Sequence, residues 1–221
     1  MKNIVAIYTG QGLAEPLQDL LFKHLPEYRL TNIIDDGIIR DVIRCGEVTK
    51  PVIRRLIKYY QTADDMGADI ILNTCSSVGE VVDIARNIID APILKIDEPM
   101  AKHAVENHQT IGVIATLPTT LDPTIRLIQS QAKLLDKDVS IVEGLAEGAY
   151  HALIAGKRQE HDDLILKIGQ KLAKQVDCIV LAQASMMRMQ EVLQQGIGKA
   201  VLASPPLCVQ WIKSMSEGSS L

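Results

Sequence analysis

Eight short apolar runs, separated by helical patterns, constrain the fold of this chain more than any other feature. The runs are 3–9, 29–35, 69–73, 93–96, 110–116, 138–143, 177–182 and 199–203. Most are rich in Ile and Val and lack polar alternation, as strands buried on both faces do. Helical periodicity covers 14–25, 49–66, 78–90, 98–107, 119–134, 145–155, 159–175, 186–195 and 205–217. Ser204-Pro205-Pro206 reads as a cap and first turn. Cys45-Gly46 reads as a loop. Strands alternating with helices predict an α/β fold of parallel sheets with helices on both faces. A chain of 221 residues, 47% hydrophobic, has room for one large such domain or two small ones.

Two stretches recur. Asn3-Ile-Val-Ala-Ile-Tyr-Thr9 matches Thr110-Ile-Gly-Val-Ile-Ala-Thr116 at an offset of 107. Asp69-Ile-Ile-Leu-Asn-Thr-Cys75-Ser-Ser77 matches Asp177-Cys-Ile-Val-Leu-Ala-Gln183-Ala-Ser185 at an offset of 108. Nearly equal offsets point to two similar halves. The alternative is that buried strands all look alike. If the repeat is structural, Gln183 is the counterpart of Cys75 and Ser185 of Ser77. Ligands of such sheets bind beyond the carboxyl ends of the strands.

Composition excludes several classes. A net charge of −4 lacks the basic face that nucleic acid requires. One Trp, one Phe and five Tyr are too few for base-stacking platforms. No apolar run reaches membrane-span length, and the Ile4–Tyr8 run is too short for a secretion signal. Cys45, Cys75, Cys178 and Cys208 form no CxxC pair, so free thiols in the cytoplasm are expected. The five histidines show no metal-binding spacing, so no metal is expected.

The chemistry concentrates where the third strand turns into a helix. Cys75 stands at that turn, followed by Ser76 and Ser77. Free N–H groups and the positive end of a helix dipole favour thiolate there. The same donors can hold a carboxylate. Ser77 and Glu80 also fit a capping box, which competes for the Ser77 hydroxyl. Thr116, Thr119 and Thr120 occupy a second strand-to-helix turn, where capping and ligand contact weigh evenly. Arg188 reads as an anion partner or a solvated helix residue. Cys178 reads as core. Gly10, Gly12 and Asp35 resemble part of a dinucleotide fingerprint, but Glu15 stands where the third glycine belongs. Gln11 fits better as a contact for a small substrate.

Taken together, Asn73-Thr-Cys-Ser-Ser-Val-Gly-Glu80, Thr110-Ile-Gly-Val-Ile-Ala-Thr-Leu-Pro-Thr-Thr120 and Asp177-Cys-Ile-Val-Leu-Ala-Gln-Ala-Ser-Met186 resemble the aspartate/glutamate/hydantoin racemase superfamily, over nearly the whole chain. The resemblance implies two pseudo-symmetric α/β domains, 1–97 with 200–221 and 98–199, with the active site in the cleft between them. It implies cofactor-independent chemistry on a small carboxylate by two opposed cysteines. The first falls on Cys75, with Asn73, Thr74, Ser76 and Ser77 holding the carboxylate and Thr116 contributing from the second half. The second falls on Gln183, which cannot act as a base because its amide does not titrate.

The expected function is a racemase or epimerase moving a proton at a carbon next to a carboxylate. Cys75, Gln183 and Ser185 are its expected catalytic residues. Gln11, Asn73, Thr74, Ser76, Ser77, Thr116, Thr119 and Thr120 are its expected substrate contacts. A decarboxylase or other lyase with a single cysteine is the alternative. From other classes, a nucleotide-dependent oxidoreductase or a non-catalytic carboxylate-binding protein remain. No cofactor, nucleic acid or membrane is expected as a partner, and the assembly is expected to be a homo-oligomer.

Overall fold

The computed structural model describes residues 2–218, with Gln11 described by its backbone alone. Residues up to Ile96 and from Pro205 onward form one compact unit, and Asp97–Ser204 form a second.

The first unit runs β1 (Lys2–Tyr8), α1 (Ala14–His24), β2 (Tyr28–Ile34), α2 (Gly37–Cys45), α3 (Lys50–Asp65), β3 (Ile70–Asn73), α4 (Gly79–Ala85) and β4 (Ile93–Lys95). Its sheet is parallel, in the order β2-β1-β3-β4. Ile4–Tyr8 and all of β3 are buried, so the central strands read as unbroken apolar runs. On one face Val5, Ile7 and Ile71 pack with Val42, Leu56, Tyr60 and Val82. Burying an aliphatic side chain of this size stabilises the fold by about 1.5–3 kcal/mol.

The second unit repeats the plan: α5 (Glu98–Asn107), β5 (Thr110–Ala115), α6 (Pro118–Leu134), β6 (Ser140–Leu145), α7 (Ala149–Ile154), α8 (Arg158–Leu172), β7 (Cys178–Leu181), α9 (Gln190–Ile197) and β8 (Ala200–Ala203). Its sheet order, β6-β5-β7-β8, is that of the first. Its core gathers Ile114, Ile179, Leu181 and Val201 with Ile165, Leu172 and Leu193. Gly169 permits the approach of α8 to α9, since a Cβ there would lie 2.6 Å from the Leu193 side chain. The last helix, α10 (Ser204–Ser216), is tied to β2 by a 2.6 Å hydrogen bond between the Tyr28 and Ser216 hydroxyls. Among the described residues no helix is long and apolar enough to cross a membrane.

Three expectations need correction. Cys45, expected in a loop with Gly46, is the last residue of a helix, Gly37–Cys45, that the helical periodicity does not mark. The β-branched Ile38, Ile39, Val42 and Ile43 of that helix favour strands locally. Ile38 and Val42, one helical turn apart, bury one face, while Asp36–Arg40 and Asp41–Arg44 pair along the other. Gly46, at φ 73°, closes the helix by donating its N–H to the Val42 carbonyl at 2.8 Å. Next, β8 pairs with β7 and lies in the second unit, so the return to the first unit comes at Pro205, not at 200. Finally, β6 runs to Leu145 and α7 starts only at Ala149, after Gly148 in the left-handed region at φ 81°.

Candidate active site

Ile7 of β1 pairs in register with Asn73 of β3. Two residues beyond that pair, Thr9 and Cys75 leave neighbouring parallel strands. The Thr9 and Ser77 hydroxyls and the Ser77 and Val78 N–H groups stand beside the Cys75 thiol as donors that favour its charged form, and the Val78 N–H also donates to the Cys75 carbonyl at 3.3 Å. Thr9, Ser76 and Ser77 are buried and Cys75 is half-buried. Cys75 also packs against the core formed with Ile7 and Tyr60.

The loop is pinned from beneath. The Tyr60 hydroxyl donates to Asn73 Oδ1 at 3.1 Å, and Asn73 Nδ2 donates to the Cys75 carbonyl at 3.0 Å. The Thr74 N–H and hydroxyl both donate to the Ile7 carbonyl, at 3.1 and 2.9 Å. Asn73 therefore fixes the backbone under Cys75. The Thr74 hydroxyl has given its proton to Ile7 and keeps only acceptor capacity.

Burial pushes the Cys75 thiol up, and the Thr9, Ser77 and Val78 donors pull it back only partly. The net direction is upward, against the expected thiolate. The expected donors are present, but desolvation outweighs them. Helix dipole support is also slight, because a 3-10 turn, Ser76–Val78, comes first and α4 is only seven residues long. The N-cap position of α4 is Val78, with no side-chain cap bond of its own. The Ser77 hydroxyl lies beside the sulfur.

The second unit builds the same loop with a different partner. Ile114 pairs with Leu181, and two residues on stand Thr116 and Gln183. The Thr116 N–H donates to Gln183 Oε1 at 2.9 Å, and Gln183 Nε2 donates to Thr116 Oγ1 at 2.5 Å. The surrounding bonds repeat as well. Thr74 N–H to Ile7 is matched by Ala182 N–H to Ile114, and Val78 N–H to Cys75 by Met186 N–H to Gln183. At the far end of the strands, Asp69 accepts from the Asn3 N–H as Asp177 does from that of Thr110. The repeat is structural, and Gln183 is the counterpart of Cys75.

Other expected site residues are dispersed. Ser185 is exposed in the 3-10 turn Ala184–Met189. Thr119 and Thr120 lie in the first turn of α6, whose N-cap, Leu117, makes no side-chain cap bond. Gln11 opens the 3-10 turn Gln11–Leu13, and its side chain lies outside the described residues. Arg188 is exposed, and it pairs with both oxygens of Asp162 and lies 3.0 Å from Nδ1 of the buried His161. Asp35, the acid of the dinucleotide pattern, is committed elsewhere. It pairs with Arg55 and accepts from the Tyr59 hydroxyl at 2.7 Å and the Gly37 N–H at 3.1 Å. Burial raises its pKa, but Tyr59 and Arg55 hold it below the usual carboxylate range. Gly10 and Gly12 have no positive φ that would require glycine. Among the described residues no group of three or more His, Cys, Asp or Glu is placed to hold a metal.

Sequence reasoning missed Thr9 as a member of this site. The signal was in the repeat, which aligns Thr9 with Thr116 as it aligns Cys75 with Gln183.

A family model described as Asp/Glu/hydantoin racemase matches residues 9–211. Among solved structures, glutamate racemase isoform RacE1 from Bacillus anthracis superimposes with a TM-score of 0.79 at 12% identity, covering 99% of this chain and 83% of that one. An aspartate racemase from Picrophilus torridus gives 0.74 at 14% identity, over 100% and 96%. Allantoin racemase from Klebsiella pneumoniae gives 0.72 at 14%, over 98% and 88%. At these identities the likeness is one of fold. No curated protein matches by sequence.

Proposed function

The chain belongs to the Asp/Glu/hydantoin racemase family, and from that premise we propose that it moves a proton, without a cofactor, at a carbon next to the carboxylate of a small acid or amino acid. The carrying observation is the Cys75 sulfur on four donors at the end of β3. In this reaction Cys75 Sγ, as thiolate, takes the proton from the carbon, and the electron pair left behind delocalises into the carboxylate. N–H and hydroxyl donors directed at that developing charge lower the barrier electrostatically. Ser76 and Thr116 are the assigned carboxylate donors, and Ser77, expected beside them, serves the sulfur instead. Thr74, able only to accept, suits an amino group. Thr119, Thr120 and Gln11 complete the assigned contacts. Free thiols suit the reducing cytoplasm, where we place the protein.

Gln183 favours a second reading. Its amide oxygen and nitrogen are both engaged with Thr116, and neither titrates. Gln183 and Ser185 then serve as hydrogen-bonding groups, not as a second base. A decarboxylase or other lyase that needs one proton donor fits this arrangement.

The deciding experiment screens small carboxylic acids and amino acids for exchange of the Cα hydrogen in deuterated water. Exchange that Cys75→Ser abolishes supports the proposal. A panel that binds the protein yet exchanges nothing, and releases no carbon dioxide, would leave a carboxylate-binding protein.

A further inference from the structure

We infer that Thr9 is a positioning residue for the Cys75 sulfur, its hydroxyl donating to the thiol at the place where, in the second unit, the Thr116 hydroxyl oxygen accepts from the Gln183 amide. The strand register fixes the relation. Thr9 and Cys75 each lie two residues beyond the Ile7–Asn73 pair, as Thr116 and Gln183 lie beyond Ile114–Leu181. In both units the threonine that ends the central strand meets the side chain that ends its neighbour. The threonine is common to the two couples; the partner differs, thiol in one and amide in the other, and with it the direction of the bond, the hydroxyl donating to the thiol and accepting from the amide. The couple is therefore a feature of the scaffold that the first unit puts to use on a titrating group.

The chemistry suits that role. Thr9 is 5% exposed and β-branched, so few rotamers are open to its hydroxyl. Its O–H donates to sulfur, a bond that strengthens when the sulfur carries charge. Burial opposes that charge, so each donor counts in setting how much thiolate is present near neutral pH. Thr9 moves no proton to substrate. It acts through Cys75.

The assignment rests on Cys75 as the working thiol for its meaning, but its test needs no substrate. The rate of Cys75 alkylation by iodoacetamide is followed against pH by peptide mapping, in the parent, Thr9→Val and Thr9→Ser. Loss of one charge-assisted bond shifts the Thr9→Val midpoint up by about one pH unit, or roughly tenfold slower labelling below it. Thr9→Ser keeps the hydroxyl and returns the midpoint to within about half a unit of the parent. Buried Cys178 reports on general loosening, and its labelling stays at the parent level in both variants. A Thr9→Val profile that coincides with the parent overturns the inference. So does a shift that Thr9→Ser fails to reverse, or one accompanied by labelling of Cys178. Failure of the exchange assay would remove the proposed reaction while leaving this result in place.

Discussion

Gln183 grips Thr116 from two sides, accepting its N–H at 2.9 Å and donating to its hydroxyl oxygen at 2.5 Å. Thr116 is buried, so its N–H cannot turn to water when the partner is lost. Gln183→Leu is therefore expected to destabilise the second unit by about 1–3 kcal/mol, the cost of stranding buried polar groups. Thr116→Val removes only the hydroxyl and should cost about 1 kcal/mol. Urea unfolding at constant m reads both. An unchanged midpoint in Gln183→Leu would show that the clamp contributes no stability.

The four cysteines should label in a set order. Cys45 is exposed at the end of α2, Cys75 is half-buried, and Cys178 and Cys208 are buried. Burial raises the Cys75 thiol above its ordinary value despite its donors. Cys45 should then react with iodoacetamide at neutral pH, and Cys75 increasingly as the pH is raised into the alkaline range. Cys178 and Cys208 should react only in urea. If Cys75 is the base, kcat/KM climbs over the same alkaline range. Peptide mapping at several pH values checks the order, and Cys178 labelling before Cys75 in native buffer would contradict it.

Much of this was legible in the sequence because buried parallel strands announce themselves as apolar runs. β1, β3, β5 and β7 carry the repeat, and the offsets 107 and 108 point to the Gln183 counterpart of Cys75. Less was legible where tertiary contact overrides local preference. The four β-branched residues of α2 favour strands one by one, and its buried Ile38–Val42 stripe and its Gly46 cap make it a helix. The sign of the Cys75 shift depends on how much of the sulfur is covered, which no local motif encodes. The family resemblance assigns Asn73 as a substrate contact, and together with the repeat offset it puts Gln183 at a catalytic position. That Tyr60 and Thr116 occupy their side chains is a fact of packing.

A small carboxylic acid should stabilise the folded protein and shield Cys75 from alkylation. At one hundred times its Kd, a ligand confined to the folded state adds about 2.7 kcal/mol, visible as a higher Tm. Ser76→Ala and Thr116→Val should each reduce that shift. NAD or NADP should produce none, because Arg55 and Tyr59 engage Asp35. An acid that shifts Tm equally in parent and both variants would place the anion contacts elsewhere.

Alkaline pH should weaken the second unit through Cys178. Burial, and next the neighbouring Asp177 charge, push this thiol up to about 12. The unfolded chain loses the same proton near the ordinary value of roughly 8.5. The raised group therefore contributes its full stability below that pH and loses it as pH climbs toward 12, at about 1.4 kcal/mol per unit. Cys178→Ala should be less stable at pH 7, through the small cavity, yet decline less steeply above pH 9. Urea midpoints for both proteins between pH 7 and 11 test this, and parallel curves would show that Cys178 does not titrate with unfolding.

The proposed reaction should be one-sided. Of the two equivalent positions, Cys75 titrates and Gln183 does not. Cys75 can take a proton from the substrate carbon and return one to the same face. Gln183 can offer only a hydrogen bond, and its two amide ends already serve Thr116. Exposed Ser185 is a poor base without an activating partner. The expected outcome in deuterated water is deuterium at Cα with retained configuration, or decarboxylation to one enantiomer, with inversion at least tenfold slower, a barrier difference of about 1.4 kcal/mol. Chiral chromatography with mass detection separates the products, and Cys75→Ser should yield neither. Inversion as fast as exchange in the unaltered protein would show that a second titrating group reaches the other face of the carbon. The assignment of Gln183 as a bystander to proton transfer would then fall, while that of Cys75 would stand.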